Sequence, residues 1–157
     1  MHAVGRYAGC LRRAILAYKR GRRDTGDVLG TLLAACVSNV IPRDAIVVPV
    51  PTVSERRRVR GFDQSLRLAR SLGERSQRPV VVALRQVVRD AQRGRSRASR
   101  LAAAGRFVCV APQLVEGARV MLVDDVVTTG ATLRDCAATL AASGARVCGA
   151  VVLAYAS

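Results

Sequence analysis

The stretch VMLVDDVVTTGATL, from Val120 to Leu133, decides the fold that we expect for this chain. Its first four residues are apolar, and they run directly into the adjacent carboxylates Asp124 and Asp125. We interpret VMLV as a buried strand of a parallel sheet, because such strands are continuous apolar runs bounded by turn residues. In open parallel sheets, ligands bind outside the carboxyl ends of the strands. The two carboxylates are therefore predicted to lie at the edge of the sheet, facing a ligand.

The residues after the carboxylates, VVTTGAT, are predicted to form a turn that opens a helix from about Ala131 to Ala142. The start of a helix offers free N–H groups and the positive end of a dipole, which both suit a phosphate. The candidate phosphate-binding residues are Thr128, Thr129, Gly130, Ala131 and Thr132. Since carboxylates repel phosphate, Asp124 and Asp125 must face neutral hydroxyls or a divalent metal on the same ligand. A ribose 5-phosphate meets both requirements, because it carries a phosphate for the turn and neutral hydroxyls for the carboxylates.

Strand-like and helical patterns alternate along the rest of the chain. Further strands are expected at AIVVPV (45–50), VVVAL (80–84), FVCV (107–110) and ARVCGAVVLAY (145–155). Further helices are expected at Tyr7–Arg20, at Asp63–Glu74, and from Thr25 or Asp27 to Ser38. The alternation indicates a single α/β domain over 1–157, with a mainly parallel central sheet flanked by helices. Residues 1–44 would form an N-terminal helical part, and Arg85–Arg106 a long functional or mobile loop.

The charge of the chain points to anionic ligands. Lys and Arg number 26 against 11 Asp and Glu, which gives a formal net charge of +15. Lys19 is the only lysine. Codon bias in a GC-rich genome accounts for arginine in place of lysine, but it does not account for the excess of positive charge. Because arginine binds phosphate groups bidentately, the excess suits phosphate ligands or nucleic acid.

The composition argues against several other classes of protein. Half of the residues are hydrophobic, which excludes a disordered basic tail. The five cysteines include no CxxC pair and His2 is the only histidine, so we expect reduced thiols and no metal site built from protein ligands. The absence of a GxxxxGK[ST] motif argues against a P-loop ATPase. The longest uncharged run, 28–42, is too short for a membrane span and no leader peptide is evident, so we predict a cytoplasmic protein.

The stretch VMLVDDVVTTGAT resembles the phosphoribosyl pyrophosphate-binding signature of type I phosphoribosyltransferases. Three further stretches, YAGCLRRAILAYKRG, VVPVPTVSERRRVRGFDQS and QRGRSRASR, occur in the order and spacing typical of the ComF family of competence and GntX-like proteins. The resemblance covers Tyr7 to Tyr155 and implies the type I phosphoribosyltransferase fold. Two departures stand out: the four-cysteine zinc module with which ComF proteins often begin is not expected here, and LAAAG (101–105) stands where the family tends to have an asparagine.

The resemblance also implies roles for individual residues. Asp124 and Asp125 would act as the catalytic pair and bind the ribose hydroxyls, while the turn 128–132 would hold the 5-phosphate. Arg60 and Gly61 would belong to a loop that binds the pyrophosphate, and Arg89 to a lid over the site. Mg²⁺ would accompany the pyrophosphate, where cations neutralise the charge that develops on the leaving group.

Two hypotheses about function remain open at this point. The first is a Mg²⁺-dependent phosphoribosyltransferase that acts on an unidentified acceptor. The second is a non-catalytic accessory protein of competence that binds single-stranded DNA and competence-type protein partners. Fifteen arginines and three acids lie between 56 and 106, which suits phosphate backbones. Aromatic residues for base stacking are nearly absent there, with only Phe62 before 106 and Phe107 directly after it, so such binding would be directed at the backbone.

Overall fold

The computed structural model of the chain describes residues 1–52, 63–87 and 106–156. Within this part, the larger sheet contains β1 (His2–Arg6), β2 (Ala45–Pro49), β5 (Arg119–Val127) and β6 (Arg146–Tyr155). Two short strands, β3 (Leu84–Gln86) and β4 (Phe107–Cys109), form a separate antiparallel pair. The helices are α1 (Gly9–Lys19), α2 (Arg23–Val37), α3 (Gln64–Ser76), the short α4 (Pro112–Val115) and α5 (Ala131–Ala141), and a 3-10 turn covers Ser38–Val40.

The strands of the larger sheet follow the order β1-β6-β5-β2, and each neighbouring pair is parallel. The two inner strands, β5 and β6, are the long apolar runs of the sequence, which is expected of strands that are covered on both faces. Their register places Asp124 opposite Val152. The prediction of an α/β fold with a mainly parallel central sheet flanked by helices is confirmed.

Alternate residues of β5 enter two different hydrophobic clusters, because successive side chains of a strand point to opposite faces. Met121 and Val123 pack into the cluster formed with α1, α2 and α3. Val120 and Leu122 pack into the cluster formed with α5, α4 and β4. The sheet is therefore a middle layer between helices. Fully burying a leucine or valine side chain contributes about 1.5–3 kcal/mol.

Helix α3 is positioned by a cap at its first turn and by a close contact near its end. The side chain of Asp63 accepts a hydrogen bond from the backbone N–H of Leu66 at 3.1 Å, which satisfies one of the free donors at the helix start. Near the other end, a Cβ on Gly73 would lie 2.8 Å from the backbone oxygen of Arg78, so only glycine fits there. The cap places the first residues of α3 beside the carboxyl end of β5.

The N-terminal helical part, residues 1–44, also contains a strand that was not predicted from the sequence. The two predicted helices are present, but β1 precedes them and pairs with β6. β1 was missed because it is a short edge strand with no continuous apolar run. Helix α2 begins at Arg23, so the predicted caps Thr25 and Asp27 lie inside its first turns. The end of α1 agrees with the prediction, since Gly21 follows it with a φ of 99°.

Expectations for the residues around the predicted loop are only partly met. In VVVAL, Val80 makes an isolated parallel bridge to Val47, and only the last residue, Leu84, belongs to a strand. The FVCV strand exists, but it is antiparallel to β3. Consequently the loop predicted to begin at Arg85 begins with paired strand, and the N–H of Val87 donates to the oxygen of Arg106 at 3.0 Å. Residues 88–105 lie outside the described residues.

In the part of the chain that the structure describes, no helix has both the length and the apolar composition needed to cross a membrane. All five cysteines lie among the described residues as free thiols, and Cys10, Cys36 and Cys148 are exposed. Cys136 is buried on the apolar face of α5.

Candidate functional site

The candidate site lies where β2 ends beside β5. The pairing of β2 with β5 stops at Pro49 and Val123, whereas β5 continues beside β6 to Val127. Asp124 and Asp125 are therefore inside β5, and the prediction that they follow the end of the strand is wrong. They nevertheless occupy the first positions of β5 beyond the β2 ladder, which opens space at this edge of the sheet.

Asp125 is held by an ion pair with the last residue of α1. The Lys19 Nζ lies 2.9 Å from Asp125 Oδ2, with 25% of the lysine side chain and 12% of the aspartate side chain exposed. The other oxygen, Oδ1, accepts a hydrogen bond from the backbone N–H of Val126 at 2.6 Å. Both oxygens of this carboxylate are therefore engaged by the protein.

Asp124 has weaker support from the protein and a perturbed pKa. Its Oδ1 accepts hydrogen bonds from Ser65 Oγ at 3.1 Å and from the N–H of Asp125 at 2.8 Å. Burial, reinforced by the negative charge of Asp125, raises the pKa of Asp124 from 3.8 to about 7, although these hydrogen bonds and Lys19 act in the opposite direction. Near neutral pH this carboxyl group is therefore present in both its protonated and its charged form. Hydrogen bonds donated by a ligand would stabilise the charged form.

Two adjoining hollows meet at Asp124. The larger has a volume of about 190 Å³. It is lined by the residues Lys19, Val50, Pro51, Thr52, Gln64, Ser65, Gln86, Arg106, Phe107, Asp124, Asp125, Val126 and Thr132. The smaller, of about 50 Å³, is lined by Asp124 and by the residues 126–133. Asp124, Val126 and Thr132 line both hollows, so the carboxylates and the turn border adjacent spaces.

The turn before α5 leaves several backbone donors without partners in the helix. Gly130 is the N-cap residue with a φ of 73°, a conformation that side-chain-bearing residues rarely adopt. The first intrahelical hydrogen bond runs from the N–H of Arg134 to the oxygen of Gly130, so the preceding N–H groups of the helix have no intrahelical acceptor. Arg134 Nη1 also donates to the oxygen of Thr129 at 2.9 Å, which braces the turn. The arrangement suits a phosphate group.

A comparison with protein families shows to which family the chain belongs. The phosphoribosyl transferase domain family matches residues 60–157, which is more than half of the chain. The chain belongs to this family. It is also 28% identical over 144 residues to the competence protein ComFC of Bacillus subtilis (strain 168). That alignment covers 90% of this chain and 58% of the relative, so the chain spans little more than half the length of ComFC.

A solved structure, that of the allosteric regulatory enzyme of purine biosynthesis, superposes with a TM-score of 0.57. The superposition covers 83% of this chain and 26% of the enzyme, at 20% sequence identity, and it shows a shared fold. With the family match, it confirms the resemblance to type I phosphoribosyltransferases, and the similarity to ComFC supports the ComF-like part of that resemblance.

The structure brings together all seven of the predicted site residues that it describes. Asp124, Asp125 and Thr132 line the larger hollow, and the turn 128–132 lines the smaller one. Arg60, Gly61 and Arg89 lie outside the described residues. The predicted roles of Arg60 and Gly61 in the pyrophosphate loop and of Arg89 in the lid therefore stay predictions.

Several residues of the site were not anticipated from the sequence. Lys19, Gln64, Ser65, Gln86 and Arg106 all line the larger hollow. For Lys19 a signal existed, since it is the one lysine in a chain whose other basic residues are arginines. Ser65 and Gln64 gave no such signal, because only the tertiary packing of α3 brings them to β5.

Proposed function

We propose that the chain binds phosphoribosyl pyrophosphate together with Mg²⁺ and transfers the phosphoribosyl group to an acceptor. One observation carries the proposal: the paired carboxylates and the phosphate-suited turn border two adjoining hollows that are both lined by Asp124. Carboxylates accept hydrogen bonds from sugar hydroxyls, and free N–H groups donate to a phosphate. A phosphorylated sugar presents both kinds of group at the required ends. The family to which the chain belongs supports the same ligand class.

In this proposal the 5-phosphate occupies the smaller hollow and the ribose the larger one. The turn 128–132 donates its backbone N–H groups and threonine hydroxyls to the phosphate, and Asp124, with Asp125 beside it, faces the ribose hydroxyls. The pyrophosphate extends toward the arginines. Arg106 lines the larger hollow, and the proposed contributions of Arg60, Gly61 and Arg89 complete this end of the site.

The residues present are compatible with Mg²⁺ that arrives bound to the pyrophosphate. Among the described residues there is no group of three or more His, Cys, Asp or Glu side chains that could hold a metal ion. Mg²⁺ is usually bound by one or two carboxylates together with substrate phosphates, so a cage of protein ligands is unnecessary. When bound there, Mg²⁺ neutralises negative charge on the pyrophosphate.

The reaction breaks the bond from the ribose C1 to the pyrophosphate oxygen and forms a bond from C1 to the acceptor. Positive charge builds on the ribose ring as the leaving group departs. The carboxylates of Asp124 and Asp125 lie at the ribose end in this proposal and favour that charge, whereas arginines favour the leaving pyrophosphate. No acid–base residue is required of the protein if the acceptor is already nucleophilic.

Thermal unfolding and calorimetry with phosphoribosyl pyrophosphate and Mg²⁺ test the proposal. Because a ligand that binds only the native state stabilises it, a concentration of 100 times Kd is expected to add about 2.7 kcal/mol to the free energy of unfolding. The matched control is the Asp124→Asn/Asp125→Asn variant, which keeps the shape of the site and removes both charges. Absence of binding by the unchanged protein, or equal binding by the double variant, would contradict the proposal.

Binding of single-stranded DNA is the second candidate, favoured by the net charge of +15 and by the similarity to a competence protein. Fluorescence anisotropy with a labelled oligonucleotide is expected to show an affinity that falls linearly on a log–log plot against salt, with a slope of about −0.7 per neutralised phosphate. An affinity that does not change between low and physiological salt would rule it out. If both ligands bind, any effect of phosphoribosyl pyrophosphate on DNA affinity must be reciprocal.

A further inference from the structure

Lys19 is distinguished both by its chemistry and by its position. It is the one lysine among 26 basic residues, and it lies at the end of α1 with its Nζ 2.9 Å from Asp125 Oδ2. It also lines the larger hollow beside both carboxylates. Lys19 lies in the stretch YAGCLRRAILAYKRG that resembles the ComF family, but outside the phosphoribosyl pyrophosphate-binding signature at 120–132.

We propose that Lys19 is a positioning residue, which binds Asp125 so that Asp124 is the carboxylate left to receive the ribose hydroxyls. This inference rests on the proposed function. Lys19 and the N–H of Val126 together engage both oxygens of Asp125. On Asp124, the hydrogen bonds from described residues all go to Oδ1, which leaves Oδ2 to the hollow.

A clamp between two helices fixes the lysine in place. We call the residues Tyr18, Lys19, Gln64 and Ser65 the carboxylate clamp. Tyr18 Oη donates to the backbone oxygen of Gln64 at 2.9 Å, and Gln64 Nε2 donates to the backbone oxygen of Tyr18 at 3.2 Å. The next residue on each helix contacts one of the two carboxylates: Lys19 forms an ion pair with Asp125, and Ser65 donates a hydrogen bond to Asp124. The ends of α1 and α3 are thus locked together where they meet the site.

The charge of Lys19 also bears on an anionic ligand. Two adjacent carboxylates repel the negative charge of a phosphorylated sugar. The ammonium group cancels one of these charges at a distance of 2.9 Å. A guanidinium would tend to take both oxygens of Asp125 in a bidentate pair and would compete with the N–H of Val126. The compact point charge of lysine avoids this competition.

A double-mutant cycle measured by calorimetry tests whether Lys19 acts through Asp125. The proteins are the unchanged chain, Lys19→Met, Asp125→Asn and Lys19→Met/Asp125→Asn, each titrated with phosphoribosyl pyrophosphate and Mg²⁺. Lys19→Met alone is expected to raise Kd by about tenfold or more, as expected for one charge-assisted contact. In the Asp125→Asn background, the same change is expected to raise Kd by no more than about threefold, because residues that act through one contact are not additive.

Two further variants exclude a merely structural effect. Lys19→Arg keeps the charge and is expected to bind more tightly than Lys19→Met but more weakly than the unchanged protein. Arg13→Met removes an exposed positive charge from the same helix and is expected to leave Kd within about twofold.

The outcomes separate the two proposals. If the unchanged protein does not bind phosphoribosyl pyrophosphate, the proposed function and this inference both fail. If it binds but the effects of Lys19→Met and Asp125→Asn add, or if Lys19→Met binds as well as Arg13→Met, the role of Lys19 alone is overturned. Equal affinities of Lys19→Arg and Lys19→Met would overturn it as well.

Discussion

Asp124→Asn is expected to weaken the binding of phosphoribosyl pyrophosphate by about a hundredfold or more and to stabilise the fold above pH 7. The loss of affinity follows because hydrogen bonds to a charged group contribute about 1.5–3 kcal/mol each, and the ribose offers two hydroxyls. The gain in stability follows because the folded protein holds this carboxylate in surroundings that disfavour its charge. Calorimetry and urea denaturation measure the two effects separately.

The raised pKa of Asp124 determines how the free energy of unfolding changes with pH, and hence the sign of the effect of Asp124→Asn. In the folded chain the pKa of Asp124 is raised from 3.8 to about 7, so between these values the native state binds more protons than the unfolded state. The free energy of unfolding therefore falls as pH rises from about 4 to about 7, and Asp124→Asn removes this contribution. Above pH 7 we expect the variant to be more stable by about 1–3 kcal/mol, at 1.4 kcal/mol per pKa unit with allowance for partial exposure.

Ligand binding is expected to depend on pH in the opposite direction. Since ribose hydroxyls donate to the charged carboxylate, affinity rises as Asp124 loses its proton, by up to about tenfold per pH unit below pH 7. The phosphates of the ligand also titrate, but they do so equally in every variant. The matched control is Asp135→Asn, which removes an exposed carboxylate from α5 and is expected to change neither profile. Parallel stability curves for Asp124→Asn and the unchanged protein between pH 5 and 8 would contradict the assignment.

Tyr18→Ala is expected to lower the free energy of unfolding by about 3–5 kcal/mol, the range for removing a large buried aromatic side chain. Tyr18 is fully buried in the cluster beneath α1, α2 and α3. Its ring lies so close to α2 that a Cβ on Gly26 would be 3.0 Å from Tyr18 Cδ2. The variant also breaks one side of the carboxylate clamp, so weaker ligand binding is expected to accompany the loss of stability.

The control for this change is Tyr18→Phe, which keeps the ring and removes the hydrogen bond to the oxygen of Gln64. We expect it to cost about 1 kcal/mol, the usual net contribution of one hydrogen bond. Urea denaturation with a common slope measures both variants. If Tyr18→Ala costs no more than Tyr18→Phe, the packing of the ring does not stabilise the fold and the argument is wrong.

The sequence predicted those parts of the fold that depend on local pattern. Continuous apolar runs identified β2, β5 and β6, and α5 begins where the glycine turn places it. It did not predict β1, which has a strand partner on one side only, nor the length of β5. Asp124 and Asp125 belong to the strand because β6 pairs with β5 at Asp124 and again at Val126. The local sequence pattern does not reveal a strand partner that is distant in sequence.

The same distinction applies to the site. The motif 124–132 was predicted because its residues are contiguous in the sequence. The order of two carboxylates followed by a threonine- and glycine-rich turn indicates a site for a phosphorylated sugar. The carboxylate clamp was not predicted, since Tyr18 and Gln64 are 46 residues apart and meet only where the end of α1 reaches the start of α3 in the folded chain. A single lysine in an arginine-rich chain was the one hint of that part of the site.

The position of β6 between β1 and β5 limits the order in which the chain can fold during synthesis. Among the described residues, β1 pairs with β6 alone, at registers such as Ala3 to Val152. The sheet therefore cannot close until residues 146–155 have emerged from the ribosome. At roughly 5–20 residues per second, β1 waits on the order of ten seconds for its partner strand. During that interval its backbone N–H and C=O groups are open to pairing with another chain.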